Sequence, residues 1–199
     1  RIMMSGAQIV STIIVAPLGT VALVAHSFAI TAESLCYMPG YGIREAATTL
    51  TAQTVGSGQA ARAREVGGVT IAVGMAVMTL MGVVMFVAAE PIIATMTPDS
   101  EIVKLGATVL RIEAFAEPMF AASIVAYGCF LGSADTLVPS AMNLASMWIV
   151  RLPLAFWLAQ SMGLVGVWIA MCLELFFRGA IFLVRFYRGS WLPARSKSV

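Results

Sequence analysis

The sequence has 199 residues, 60% of them hydrophobic and only 11% charged, with a formal net charge of +2. Its mean hydropathy is +0.92, whereas soluble domains carry about 25% charged residues. This excludes a soluble globular domain, offers no basic surface for nucleic acid, and predicts an all-α integral membrane protein. A spanning helix takes roughly 20 apolar residues, so the length accommodates about six. The short segments of alternating polarity that mark a β-barrel are not seen.

The first apolar run, Ile2 to Ala16, is short for a span, and Pro17-Leu18-Gly19-Thr20 turns it. The chain starts at Arg1 without a secretory leader pattern. The run therefore reads as a first helix lacking its opening turn or more; a short, tilted or re-entrant helix is the alternative. The second helix is expected from about Val21 to Thr54, roughly 50 Å at about 1.5 Å per residue. That exceeds a hydrocarbon core of about 30 Å, so it must bend, tilt or protrude. Pro39 frees the carbonyl of Leu35 and predicts a bend within Met38-Pro39-Gly40-Tyr41-Gly42, whose glycines admit a neighbouring helix. Glu33, Tyr37 and Tyr41 recur at intervals of four and share a face, either a polar stripe between helices or the wall of a cavity. Arg44 and Glu45 are adjacent and are not expected to face each other on a helix.

Val55 to Glu65 reads as a basic loop. Its Gly56-x-Gly58-x-x-Ala61 run superficially fits a dinucleotide fingerprint, but it follows a membrane helix and lacks a βαβ context. The third helix, Val66 to Ala89, carries no charge and is the cleanest span; Glu90-Pro91 ends it. Thr97-Pro98-Asp99-Ser100-Glu101 is an N-cap signal for a fourth helix, from about Ile102 to Leu131. Within it Glu113 and Glu117 lie four apart, so a continuous helix stacks them on one face. Pro118 removes the helical partner of the Ala114 carbonyl. Two acids and a freed carbonyl at one depth can hold a cation or a proton. Acids beside segments of hydrocarbon length are functional candidates by default; the plainer alternative is a wet interface near the helix start.

Gly132-Ser133-Ala134-Asp135 makes a tight turn, and Pro139 fits the first turn of a fifth helix, about Val138 to Ser161. Arg151 sits in mid-span between Trp148 and Trp157, with Pro153 two residues on. Unpaired, it would be costly, so it is expected to face the bundle and meet an acid or a freed carbonyl, as a structural pair or in a substrate or gating role. The sixth helix runs from about Val165 to Phe186, and its Glu174 and Arg178 read as a self-neutralising i,i+4 pair. Residues 187–199 form a polar, basic tail expected to fray.

Cys36, Cys129 and Cys172 stand singly in three apolar segments, and the only histidine is His26. They read as small buried residues, with no metal centre or disulfide. No nucleophile elbow, zinc motif, P-loop or haem signature is present, so neither an enzyme nor a resident cofactor is expected. With six helices, Arg1, Arg62, Arg64, Arg185, Arg188, Arg195 and Lys197 share one side and Lys104 stands on the other. The positive-inside rule places the first group, and the carboxyl-terminal tail, in the cytoplasm of a cell whose plasma membrane holds the chain.

Pro39, Pro118 and Pro153 are the expected helix breaks, and each lies near an ionisable residue, respectively Glu33, Glu117 and Arg151. Broken helices with embedded charges are the usual construction of ion-coupled secondary transporters. The candidate coupling-ion and substrate cavity is therefore Glu33, Tyr37, Glu113, Glu117 and Arg151. The 13 methionines suit an adaptable cavity, or ordinary lipid-facing filler.

Pro17-Leu18-Gly19-Thr20-Val21-Ala22, Ala25-His26-Ser27, Tyr37-Met38-Pro39-Gly40-Tyr41-Gly42-Ile43 and Ala46-Ala47-Thr48-Thr49-Leu50-Thr51-Ala52-Gln53 together resemble the multidrug and toxic compound extrusion (MATE) family. Leu131-Gly132-Ser133-Ala134-Asp135-Thr136 and Arg151-Leu152-Pro153-Leu154 resemble its later segments, so the likeness covers nearly the whole chain. The resemblance implies a carboxyl-terminal six-helix lobe, residues 1–199, of a twelve-helix antiporter that also needs an amino-terminal lobe. It implies export of organic cations or amphipathic compounds in exchange for Na+ or H+. Glu33 and Glu117, then Glu113, fall in helices where members carry cavity acids. Some members use an acid in the first helix of this lobe, and residues 2–32 contain none. Two other readings stand beside this one. A lipid-linked oligosaccharide flippase of the same superfamily calls for a strongly cationic cavity. A structural membrane protein that transports nothing would treat Glu117 as dispensable.

Overall fold

The computed structural model describes residues 2–193. Nine α-helices in chain order carry these residues: α1 (Ile2–Val15), α2 (Thr20–Gly56), α3 (Ala60–Val87), α4 (Ala89–Ala94), α5 (Ser100–Ala114), α6 (Glu117–Gly132), α7 (Leu137–Ala145), α8 (Leu152–Met162) and α9 (Leu164–Arg188). There is no strand among the described residues. Four stretches are long and apolar enough to cross a membrane: α2, α3, residues 137–162 and α9. The bent pair α5–α6 makes a fifth, and α1 is a shorter apolar helix. The result is the all-α membrane bundle that composition required.

The prolines act differently from one another. Pro118 does break its helix: α5 and α6 meet at 57°. The amide of Ala116 bonds the Glu113 carbonyl at 2.8 Å in a tight turn, and Pro118 lies in the first turn of α6, where its missing N–H costs nothing. The single fourth helix expected from Ile102 to Leu131 is thus two. Glu113 ends one half and Glu117 opens the other, so they do not share the face of a continuous helix. Pro153 opens α8 behind a stretch of wide π-type turn, Ser146–Arg151, which absorbs the backbone bond that proline cannot make. Pro39 breaks nothing. The helical ladder of α2 runs through it for 37 residues; one missing hydrogen bond does not end a helix whose turns on either side are packed against α3 and α6.

Other boundaries shift. The expected basic loop Val55 to Glu65 shrinks to residues 57–59, because α2 and α3 extend into it. After α3 the chain makes the short helix α4 rather than a plain linker. Asp99 caps α5, accepting the Glu101 amide at 2.9 Å. Leu137 opens α7 with Pro139 in its first turn. At the far end α9 runs to Arg188 and stops at Gly189, whose φ of 71° suits glycine. The next residues do not fray: Trp191 stacks on Phe186 at 5.2 Å and donates its indole N–H to the Phe186 carbonyl at 2.9 Å. Arg1, Arg195 and Lys197 lie outside the described residues.

Two large apolar clusters fill the bundle, and a small third one, Ala7, Met147 and Leu152, joins α1 to the start of α8. The first large cluster contains Ala25, Ala29, Met85, Ile93, Leu110 and Trp168. The other contains Ala47, Ile71, Val125, Phe130, Phe182 and Phe186. The buried charges come between them along the chain: on α9, Met171 belongs to the first cluster, Phe182 to the second, and Glu174 and Arg178 fall in the gap. Small residues let the helices approach around this layer. A Cβ on Gly82 would stand 3.0 Å from the Ala114 carbonyl oxygen, and one on Gly128 would stand 2.6 Å from that of Arg44. The Thr48 hydroxyl lies 3.0 Å from the Gly128 carbonyl and ties α2 to α6. At the end holding the second cluster, Arg64 bonds the Tyr187 carbonyl and Arg185 pairs with Asp135. The α2–α3 turn, the α6–α7 turn and the end of α9 therefore share one end of the bundle.

Candidate functional site

A polar cavity of about 200 Å³ opens in the charged layer. Gln8, Ser11 and Thr12 from α1, Glu33 and Tyr37 from α2, and Arg151 before α8 line it, with His26 beside them. Three of the expected site residues, Glu33, Tyr37 and Arg151, thus meet in one cavity. Glu33 is 6% exposed and makes no hydrogen bond to the protein among the described residues. The Tyr37 ring packs edge-on against Phe120 of α6 at 5.7 Å, which fixes the cavity wall.

Glu113 and Glu117 do not line this cavity. They are buried at 0% and 1% exposure, and none of their four carboxylate oxygens has a hydrogen-bond partner among the described residues. Both are within electrostatic reach of Glu33, and Glu113 also of Arg151 and Glu174. Burying an ionised carboxylate without a partner is expensive, so these groups call for a proton or a cation that the described residues do not provide. Pro118 lines a separate apolar groove of about 310 Å³ with Gly82, Phe86, Ala114 and Phe115. No three side chains of His, Cys, Asp and Glu converge to hold one metal ion among the described residues.

Arg151 meets the acid it was expected to need. Its Nε and Nη2 donate to Glu174 Oε2 at 3.1 and 2.8 Å. The Glu174–Arg178 pair forms as well, at 2.8 Å from Nε to Oε1, and the Ser146 hydroxyl donates to the same oxygen. What looked like a private i,i+4 pair is therefore a triad, Arg151–Glu174–Arg178, that joins the wide turn before α8 to α9. Arg44 and Glu45, not expected to meet, do pair at 2.7 Å: adjacent side chains diverge at Cβ, but both are long enough to curl together at the surface.

His26, Gln8, Ser11 and Thr12 were not expected in the site. His26 Nδ1 accepts the indole N–H of Trp168 at 3.1 Å, which makes the ring neutral with its proton on Nε2. The sequence offered a signal in the Gln8-x-x-Ser11-Thr12 spacing, three polar side chains on one face of an otherwise apolar run.

A bundle of helices broken at prolines around buried, incompletely paired charges is the construction of a membrane transporter lobe. The chain belongs to the MatE family, whose profile matches residues 1–157; this is a family of membrane transporters, not of enzymes. It is 30% identical over 175 residues to the probable multidrug resistance protein NorM of Thermotoga maritima, an alignment covering 87% of this chain and 38% of that protein. It is 26% identical over 184 residues to the probable NorM of Mannheimia succiniciproducens, covering 89% and 40%. The chain thus spans about two fifths of the length of these curated relatives, roughly one lobe. The fold is similar to that of the Vibrio cholerae MATE transporter VcmN in its bent form (TM-score 0.88, 14% identity, 94% of this chain and 43% of that one). It is similar also to the MATE transporter ClbM in complex with Rb+ (TM-score 0.87, 17% identity, 96% and 46%).

Proposed function

We propose that the protein carrying this lobe is an antiporter that exports cationic or amphipathic organic compounds in exchange for Na+ or H+ by alternating access. The observation that carries this reading is the set of three buried carboxylates, Glu33, Glu113 and Glu117, which have no hydrogen-bond partner among the described residues; Glu33 lines a polar cavity and the other two lie within electrostatic reach of Glu33. Such groups bind a proton or a cation more readily than they stay bare. Glu33 at the cavity is the cargo or ion contact; Glu117, at the α5–α6 break, is where a captured ion would meet the bent backbone. The multidrug resistance proteins to which the chain is similar support the cargo class. The chain is read as the carboxyl-terminal lobe, with Arg62, Arg64, Arg185 and Arg188 on the cytoplasmic side of the plasma membrane.

The test is efflux of a fluorescent organic cation from proteoliposomes holding the full natural protein, under an imposed Na+ or H+ gradient. Glu117→Gln should abolish gradient-driven efflux while leaving insertion intact. Efflux at the wild-type rate in that variant would move coupling out of this lobe, and no efflux with either ion would favour lipid-linked cargo.

A further inference from the structure

A second polar cavity, of about 330 Å³, lies between α2, α6, α7 and α9, and its chemistry is opposite to that of the first. Tyr41, Arg44, Phe120, Tyr127, Asn143 and Arg178 line it together with Ser123 and Ile124, and no acid is among the lining residues. The two cavities are neighbours. Tyr37 of the first and Tyr41 of the second stand one turn apart with ring centroids at 5.5 Å, and Arg151 of the first and Arg178 of the second grip the same Glu174.

We propose that this second cavity is a subsite for a carboxylate attached to an aromatic body. As a cargo subsite it rests on the efflux reading; as a binding site it does not. Three observations carry it. Arg44 lies over the Tyr41 ring at 5.1 Å, which holds the guanidinium at the cavity wall. Its Nε and Nη2 face Glu45, while its Nη1 has no partner among the described residues. The Glu45 side chain is 65% exposed, and such a surface pair is worth only about 0–1 kcal/mol, so an incoming carboxylate can compete for the fork, whose donors match a carboxylate in geometry. Second, Arg178 is 7% exposed and its Nη2, 2.7 Å from Glu174 Oε1, lies off the hydrogen-bond direction; it adds fixed positive charge to the inner wall. Third, the Asn143 amide and the Tyr41 hydroxyl make no hydrogen bond among the described residues, and Phe120 and Tyr127 supply apolar faces for a ring. The Tyr127 hydroxyl is already engaged with Ser140 at 3.1 Å, so its ring rather than its hydroxyl meets the ligand.

The experiment is equilibrium binding of two matched probes, 1-naphthoate and 1-naphthylmethylammonium, to the full natural protein in detergent. Arg44→Gln should weaken naphthoate at least tenfold and leave the ammonium probe unchanged, and Glu45→Gln, which frees the fork, should tighten naphthoate. Tyr41→Phe should weaken it by a smaller factor. Two results would overturn the proposal: no saturable naphthoate binding to the wild type, or naphthoate binding indifferent to Arg44→Gln and Glu45→Gln alike. A naphthyl phosphodiester binding tenfold tighter than naphthoate would also overturn it, in favour of a lipid headgroup. Naphthoate binding of the expected pattern in a protein that moves no organic cation in liposomes would sink the efflux reading and leave the subsite standing.

Discussion

The lobe holds two sets of buried charge at similar depth, and they are finished differently. Glu174 is 0% exposed and has Arg151, Arg178 and Ser146 arranged around its two oxygens. Glu113 and Glu117 are as deeply buried and have no hydrogen-bond partner among the described residues. The first set is closed by the fold itself. The second is left open among the described residues. Depth in an apolar bundle thus does not separate the two sets; the presence or absence of a fixed partner among the described residues does.

Four substitutions sharpen or break that contrast. Glu174→Gln leaves two arginines uncompensated, and breaking a buried pair costs about 3–5 kcal/mol. Its melting midpoint in detergent should fall furthest of the set, by on the order of 10 °C; an unchanged midpoint would mean that the triad is not structural. Glu113→Leu should do the reverse. It removes an unpartnered buried carboxyl at little change in volume and should raise stability by about 1–3 kcal/mol, so a lower midpoint would reveal a partner that Glu113 finds in solution. Glu33→Gln should weaken binding of an organic cation about tenfold, or about 1.4 kcal/mol, with stability near wild type; equal affinity, measured by titration, would take Glu33 out of the cargo path. Pro39→Ala should change least, within about 1 kcal/mol in stability and with near-normal flux, because α2 is already helical there. A large loss of flux would show that α2 bends during the cycle.

Much of the fold was legible because a membrane leaves so few options. Hydropathy alone located α2, α3 and α9, and the Asp99 cap and the turn after Gly132 followed from local chemistry. Proline was legible as a site of weakness but not as an outcome. Pro118 interrupts its helix, Pro153 follows a π-type turn within one helical run from 137 to 162, and Pro39 leaves α2 unbroken, since the result depends on what packs against each turn. The same limit governs the site. Periodicity put Glu33 and Tyr37 on one face, and the cost of a bare arginine predicted that Arg151 would find an acid. That the acid would be Glu174 on α9, already spoken for by Arg178, depends on three-dimensional packing between segments far apart in the chain. So does the role of His26, whose partner Trp168 is 142 positions away. Glu113 and Glu117 were found as residues but misplaced as a pair, because a 57° bend separates what a straight helix would align.

The Trp168–His26 hydrogen bond also makes the first cavity optically addressable. Trp168 is wholly buried, and its indole N–H ends on a ring that borders the same space as Glu33 and Arg151. An indole so held responds to the charge and hydration of its acceptor, so filling or emptying the cavity should shift its emission without any attached dye. Trp148 and Trp157 are exposed, and replacing them with phenylalanine would reduce the background from which that signal must be read.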